Sequence, residues 1–150
     1  MYTKCKPPAQ VNYMLNTDCA AEGSSMNQYQ FGLRGVFRNY KEEWVLGFHG
    51  NCTATDVLEG EAHALLLGLR LAHQNNLFPL EIGIDSQQLV QLLDPDADSN
   101  STLISDCRYL LGVLDSPLLH HLFREQDQLA DELARLPSIA STTTLFWTPP

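Results

Sequence analysis

Positive charge is scarce in this chain. Nine lysines and arginines stand against eighteen aspartates and glutamates, a formal net charge of −9 over 150 residues. That balance argues against a protein that grips phosphates through a basic face, since such binding draws on many Lys and Arg contacts. An anionic protein still acts on an anionic substrate where divalent cations lie between the two. Long apolar runs are also missing: none approaches the roughly 20 residues of a membrane span, and the best candidate is broken by Glu61 and Arg70. The opening Met-Tyr-Thr-Lys-Cys-Lys-Pro-Pro has no apolar core of a signal peptide. The expectation is an intracellular protein, cytoplasmic or nuclear, not secreted and without a membrane partner. Cys5, Cys19, Cys52 and Cys107 are far apart and form no CxxC pair, which argues against a zinc site and for reduced thiols. Sequons at Asn51 and Asn100 are chance matches without a secretory signal. Internal repeats are absent.

What is present suits one globular domain. The chain is 44% hydrophobic and 18% charged, an ordinary balance for a folded protein rather than a disordered one, and its length buries about two thirds of the unfolded surface. Residues 1–10 read as a Pro-containing leader, 11–136 as the domain and 137–150 as an irregular Ser/Thr-rich tail. Val11 to Asp18 alternates as a strand, with Glu22 to Asn27 as a loop after it. Tyr29 to Arg38 and Trp44 to His49 follow as two strands joined by a polar turn, giving an antiparallel meander. Leu80 to Asp85 and Leu118 to Phe123 read as two further strands. Helical patterns start at Asp56, at Ser86, near Ile104 and at Asp127, the last running to Leu136. The order β-β-β-α-β-α-α-β-α implies an α/β fold, a mixed sheet with helices on its faces.

The helix from Asp56 to His73 organises the rest. Leu58, Ala62, Leu65, Leu66, Leu69 and Ala72 recur at helical spacing. Asp56 is its expected N-cap and Glu59 the back-bonding partner. Glu61 is the odd member, a carboxylate on the shoulder of the apolar stripe, where an unpaired charge is costly to bury. Two strands end in acids, Asp18 and Asp85, and a fourth acid, Asp131, opens the last helix. Should strands and helices bring these acids together, each raises the others' pKa, and hard divalent cations relieve the repulsion. Taken singly, each has a plainer role: turn residues for Asp18 and Asp85, a solvent-seeking side chain for Glu61, a surface pair with Arg135 for Asp131.

The motifs taken together are more specific. Asn16-Thr-Asp18-Cys-Ala, Gly32-Leu-Arg-Gly-Val-Phe-Arg-Asn39, Glu61-Ala-His-Ala-Leu-Leu-Leu-Gly-Leu-Arg-Leu-Ala72, Asp85-Ser86 and Phe123-Arg-Glu125 with Ala130-Asp-Glu-Leu-Ala134 occur in one order. In that order the sequence resembles the type 1 ribonuclease H domain, in its plant retroelement-derived, reverse-transcriptase-associated variant, over residues 8–136. The resemblance implies an RNase H-like fold: a five-stranded mixed sheet, three antiparallel strands then two parallel, with helices on both faces. It implies a D-E-D-D site in which Asp18, Glu61, Asp85 and Asp131 are the catalytic and metal-binding acids. The implied cofactor is Mg²⁺, with Mn²⁺ as substitute, and the implied partner an RNA/DNA hybrid whose RNA strand is hydrolysed by a two-metal mechanism. By the same resemblance His121 and Arg124 lie near the scissile phosphate. Cys19 and Ser86, beside two of the acids, complete the candidate substrate-binding set.

Three departures set this chain apart. Cys19 stands where the family pattern has glycine, Asp127 where it has asparagine, and Asp94 to Asn100 is a short acidic loop where bacterial relatives carry a basic protrusion. They favour the alternative, a catalytically degenerate module that binds nucleic acid or protein, while the four acids favour the nuclease. A 3′–5′ exonuclease on a similar fold needs Asp-x-Glu on the first strand, and Asp18-Cys-Ala lacks it.

Overall fold

Alternating apolar positions build the sheet first. In the computed structural model, which describes residues 12–121 and 144–146, β1 (Tyr13–Ser25), β2 (Gln28–Arg38) and β3 (Trp44–Ala54) form the expected antiparallel meander. Leu15, Phe37 and Leu46 face one another across the three strands and are fully buried. β4 (Leu80–Ile84) joins β1 in parallel and β5 (Leu118–His121) joins β4 in parallel. The five expected strands therefore lie in the order β5-β4-β1-β2-β3. A sixth, β6 (Thr144–Phe146), pairs antiparallel with the outer edge of β3. It falls in the tail that composition marks as irregular: β3 offers an open edge, and Thr-Leu-Phe is a segment of β-prone residues.

The first hairpin is longer than its local sequence suggests. Local composition predicts a loop over Glu22 to Asn27, yet β1 runs on until Ser25 pairs with Gln28, leaving Met26 and Asn27 as the whole turn. Both have positive φ, 49° and 71°, the backbone a two-residue hairpin turn requires to match strand twist. Small polar residues read as loop locally, but cross-strand pairing overrides that preference. β3 likewise continues past His49 because Tyr29 to Gly32 present a partner edge.

The helix α1 (Val57–Gln74) starts as expected. Asp56 Oδ1 accepts from the Glu59 amide at 2.8 Å, and Glu59 Oε1 accepts from the Thr55 amide at 3.0 Å, one residue earlier than the usual reciprocal cap. Asn75 and left-handed Asn76 end it. The helices α2 (Gln87–Leu92) and α3 (Thr102–Val113) start at Ser86 and Ser101 caps. Leu65 and Leu69 of α1, Leu89 of α2 and Ile104 and Cys107 of α3 share one core with Leu15, Phe48, Ile82 and Ile84 of the sheet. Each buried leucine contributes roughly 1.5–3 kcal/mol. These three helices thus occupy one face. The helix expected over Asp127–Leu136 lies outside the described residues.

Close approach of α1 to β1 depends on Gly68. A Cβ there would lie 2.8 Å from Leu15 Cδ2 and 3.3 Å from Phe48 Cζ, and both neighbours are fully buried. Gly68→Val is expected to destabilise the domain by about 2 kcal/mol through overpacking. A urea midpoint equal to wild type would show that the helix has room to retreat.

Candidate metal centre

The parallel register of β1 and β4 runs from Tyr13↔Leu80 to Asn16↔Gly83. Two residues further on, the same register sets Asp18 level with Asp85. By then β4 has ended at Ile84, and the chain turns into α2, with Ser86 Oγ accepting from the Leu89 amide at 3.2 Å. Asp18 therefore lies mid-strand in β1, not at the strand end its sequence suggests, just past the parallel pairing with β4, while Asp85 directly follows β4. Sites in such sheets form at this edge of the parallel pair. Above them α1 presents Glu61 from its second turn. Carboxylate oxygens of Asp18, Glu61 and Asp85 all lie within 4.8 Å of one another.

Three acids this close do not tolerate three charges. Glu61 is only 8% exposed. Burial first, then the hydrogen bond and charge of Asp85 and the charge of Asp18, push its pKa up to about 9. At neutral pH the cluster therefore carries a proton on Glu61 in place of a positive counter-charge. Among the described residues, Asp85 Oδ1 is buried without a hydrogen-bond partner. Three hard oxygen donors, one orphaned and one protonated, fit a divalent cation of the Mg²⁺ or Mn²⁺ kind.

The other expected site residues fall in different places. Cys19 follows Asp18 on β1, and its amide donates to Asp18 Oδ1 at 2.9 Å. His121 ends β5 opposite Ile84, with Nε2 3.1 Å from the Asp85 carbonyl oxygen, so its ring touches the backbone of a site residue. Its neighbour His120 turns to Glu81, 3.1 Å away at the start of β4. The hydroxyl of Ser86 serves as the α2 cap. Arg124 and Asp131 lie outside the described residues.

Sequence reasoning misses a buried polar group beside Asp18. Asp18, Arg34 and His49 face one another across β1, β2 and β3, and Arg34 and His49 are each 3% exposed. Arg34 Nη2 donates to Glu22 Oε2 at 3.3 Å, and Asn51 Nδ2 donates to Glu22 Oε1 at 3.1 Å. Burial and the Arg34 charge hold His49 below the ordinary histidine range. Cross-strand alignment reveals this group, but only once β1 is known to extend past Glu22.

Residues 18–136 match the family described as reverse transcriptase-like. Among solved structures, RNase H1 from the halophilic archaeon Halobacterium salinarum NRC-1 aligns with a TM-score of 0.70 at 22% identity, covering 82% of this chain and 94% of that one. LC11-RNase H1, isolated from compost by a metagenomic approach and solved in complex with RNA/DNA hybrid, gives 0.66 at 18% identity, covering 81% and 92%. The prototype foamy virus protease-reverse transcriptase gives 0.60 at 17% identity over 89% of this chain and 22% of that much longer one. At such identities the likeness establishes an RNase H fold. No match was found among curated proteins.

Proposed function

Because this chain belongs to the reverse transcriptase-like family, we propose that it is a metal-dependent endonuclease hydrolysing the RNA strand of RNA/DNA hybrids. The observation that carries this reading is the convergence of Asp18, Glu61 and Asp85 within 4.8 Å at one sheet edge. Similarity to a fold solved with an RNA/DNA hybrid in LC11-RNase H1 supports the choice of substrate. In this reading Asp18, Glu61 and Asp85 hold the cations, with Asp131 as the fourth acid of the set. Bound divalent cations supply an acidified attacking water and charge neutralisation at the leaving 3′ oxygen. Asp18 is held within β1 and Asp85 by the turn from β4 into α2. Glu61, which holds a proton in the metal-free protein, would give it up to serve as a ligand. His121 holds the Asp85 backbone from the neighbouring strand. The products are a 5′-phosphate and a free 3′-hydroxyl, and the hybrid is recognised by its shape and 2′-hydroxyls rather than by base sequence.

Purified protein incubated with end-labelled hybrid tests the reading. Cleavage of the RNA strand is expected with Mg²⁺ or Mn²⁺, lost on chelation and restored by adding the metal back. No cleavage with either metal at low salt overturns it. Hybrid affinity is expected to be weak, with a shallow salt dependence. Among the described residues Arg34 is committed to Glu22, and Arg108 donates three hydrogen bonds to the Leu92 and Ala97 carbonyls. Lys41 and Arg70 are the cations that stand exposed there. Two or three phosphate contacts correspond to a log–log slope of about −2 to −3. A slope of about −5 or steeper would reveal a basic surface formed elsewhere in the chain.

A further inference from the structure

We propose that Cys19 is a positioning residue that sets the Glu61 carboxylate against Asp85, and that Gly60 is the residue that admits it. The proposal rests on the metal-dependent reading and deepens it at the same site.

Successive side chains of a strand point to opposite faces, so the residue after Asp18 turns beneath α1. There the Cys19 side chain packs on the small cluster of Phe31, Leu33, Ala54 and Ala64. Its single S–H has two acceptors within reach, the Glu61 carboxylate and the Val57 carbonyl oxygen, the latter 3.9 Å from Sγ. The same residue's amide N–H donates to Asp18 Oδ1 at 2.9 Å. One residue thus ties two of the three clustered acids together, Asp18 by its backbone and Glu61 by its sulfur.

Space for that sulfur comes from the residue before Glu61. A Cβ on Gly60 would sit 3.1 Å from Cys19 Sγ and 3.1 Å from Cγ and Cδ2 of the Phe31 ring. The ring is 2% exposed, so it has little room to give. A methyl group here would push Sγ or the ring back by a few tenths of an ångström, so glycine lets α1 close on Cys19 at its tightest, with Glu61 between Cys19 and Asp85. A side chain with three rotatable bonds is held on two sides. Groups that orient metal-binding carboxylates in this way commonly matter about 10–100-fold to metal affinity.

Calorimetric titration of the full chain with Mn²⁺, beside steady-state cleavage and thermal unfolding, tests the assignment. Cys19→Ala is expected to weaken Mn²⁺ binding about tenfold and to lower kcat with little change in KM for the hybrid. Cys19→Ser, which keeps a donor, should recover part of the loss. Cys52→Ala, on the same apolar cluster, should unfold at a temperature similar to Cys19→Ala yet bind Mn²⁺ like wild type. Gly60→Ala should weaken Mn²⁺ binding as well. In the double variant Cys19→Ala with Gly60→Ala, the two losses should be clearly less than additive, because each acts through one contact. Cys19→Ala binding within about twofold of wild type would reduce the thiol to packing and overturn the proposal, as would additive losses. Wild-type protein that binds no Mn²⁺ would remove the metal reading itself, and the proposal with it.

Discussion

Asp85→Asn is expected to bring hybrid cleavage down to background while leaving the fold intact. The substitution keeps the shape of the side chain and removes its charge. An amide in this position also donates to Glu61, which supplies from within the protein what the acids otherwise take from a cation. Cation binding is expected to fall by more than about a hundredfold, beyond what a residue merely supporting a ligand contributes. Unfolding in chelator should occur at the wild-type temperature or above it, since a like charge has left a crowded cluster. Cleavage that survives the substitution would place the chemistry outside this cluster or in a contaminant.

Glu61→Gln is expected to separate stability from function. In the metal-free protein the Glu61 pKa is pushed up to about 9, chiefly by burial and then by Asp85 and Asp18, against a value near 4.3 for an unfolded glutamate, to within about a unit. The folded state therefore holds this proton more tightly than the unfolded state. Its stabilising contribution is complete below about pH 4 and is lost progressively as pH rises to about 9. The substituted amide stays a neutral hydrogen-bonding group at every pH. The variant should match wild type near pH 4 and, in chelator at pH 8, unfold several degrees higher, since 1 kcal/mol moves a chain of this size by roughly 2–4 °C. Cleavage should nevertheless be lost, because an amide binds divalent cations poorly. Saturating Mg²⁺ should narrow the stability gap by stabilising wild type alone. A variant less stable than wild type at pH 8 in chelator would mean that Glu61 is ionised and paired in the free protein.

Much of the site could be read from the chain because its signals are local. Glu61 stands out against the apolar stripe of its own helix, and Asp85 closes a run of alternating residues, whereas Asp18 looks like a strand end only because the pairing that carries β1 on to Ser25 is not written locally. The Asp56 cap lies within a few positions of the helix it starts. What escaped was set by pairing across space. The extension of β1 to Ser25 depends on Gln28 to Gln30 as partners, and Gly23, Ser24 and Ser25 carry no strand signal of their own. The Glu22, Arg34 and Asn51 group follows from that extension. The contact of Cys19 with Gly60 joins a strand to a helix more than forty positions away, and no spacing rule encodes it. β6 exists because β3 has an edge to cover, a fact about the sheet rather than about Thr144 to Phe146.

Crystals grown without added metal and soaked in Mn²⁺ give the most direct test, through anomalous diffraction. Strong manganese peaks are expected within coordination distance of Asp18, Glu61 and Asp85 together, and absent from Asp85→Asn crystals soaked in the same way. Manganese found only on surface acids, with these three carboxylates still hydrogen-bonded among themselves, would contradict a metal-dependent nuclease.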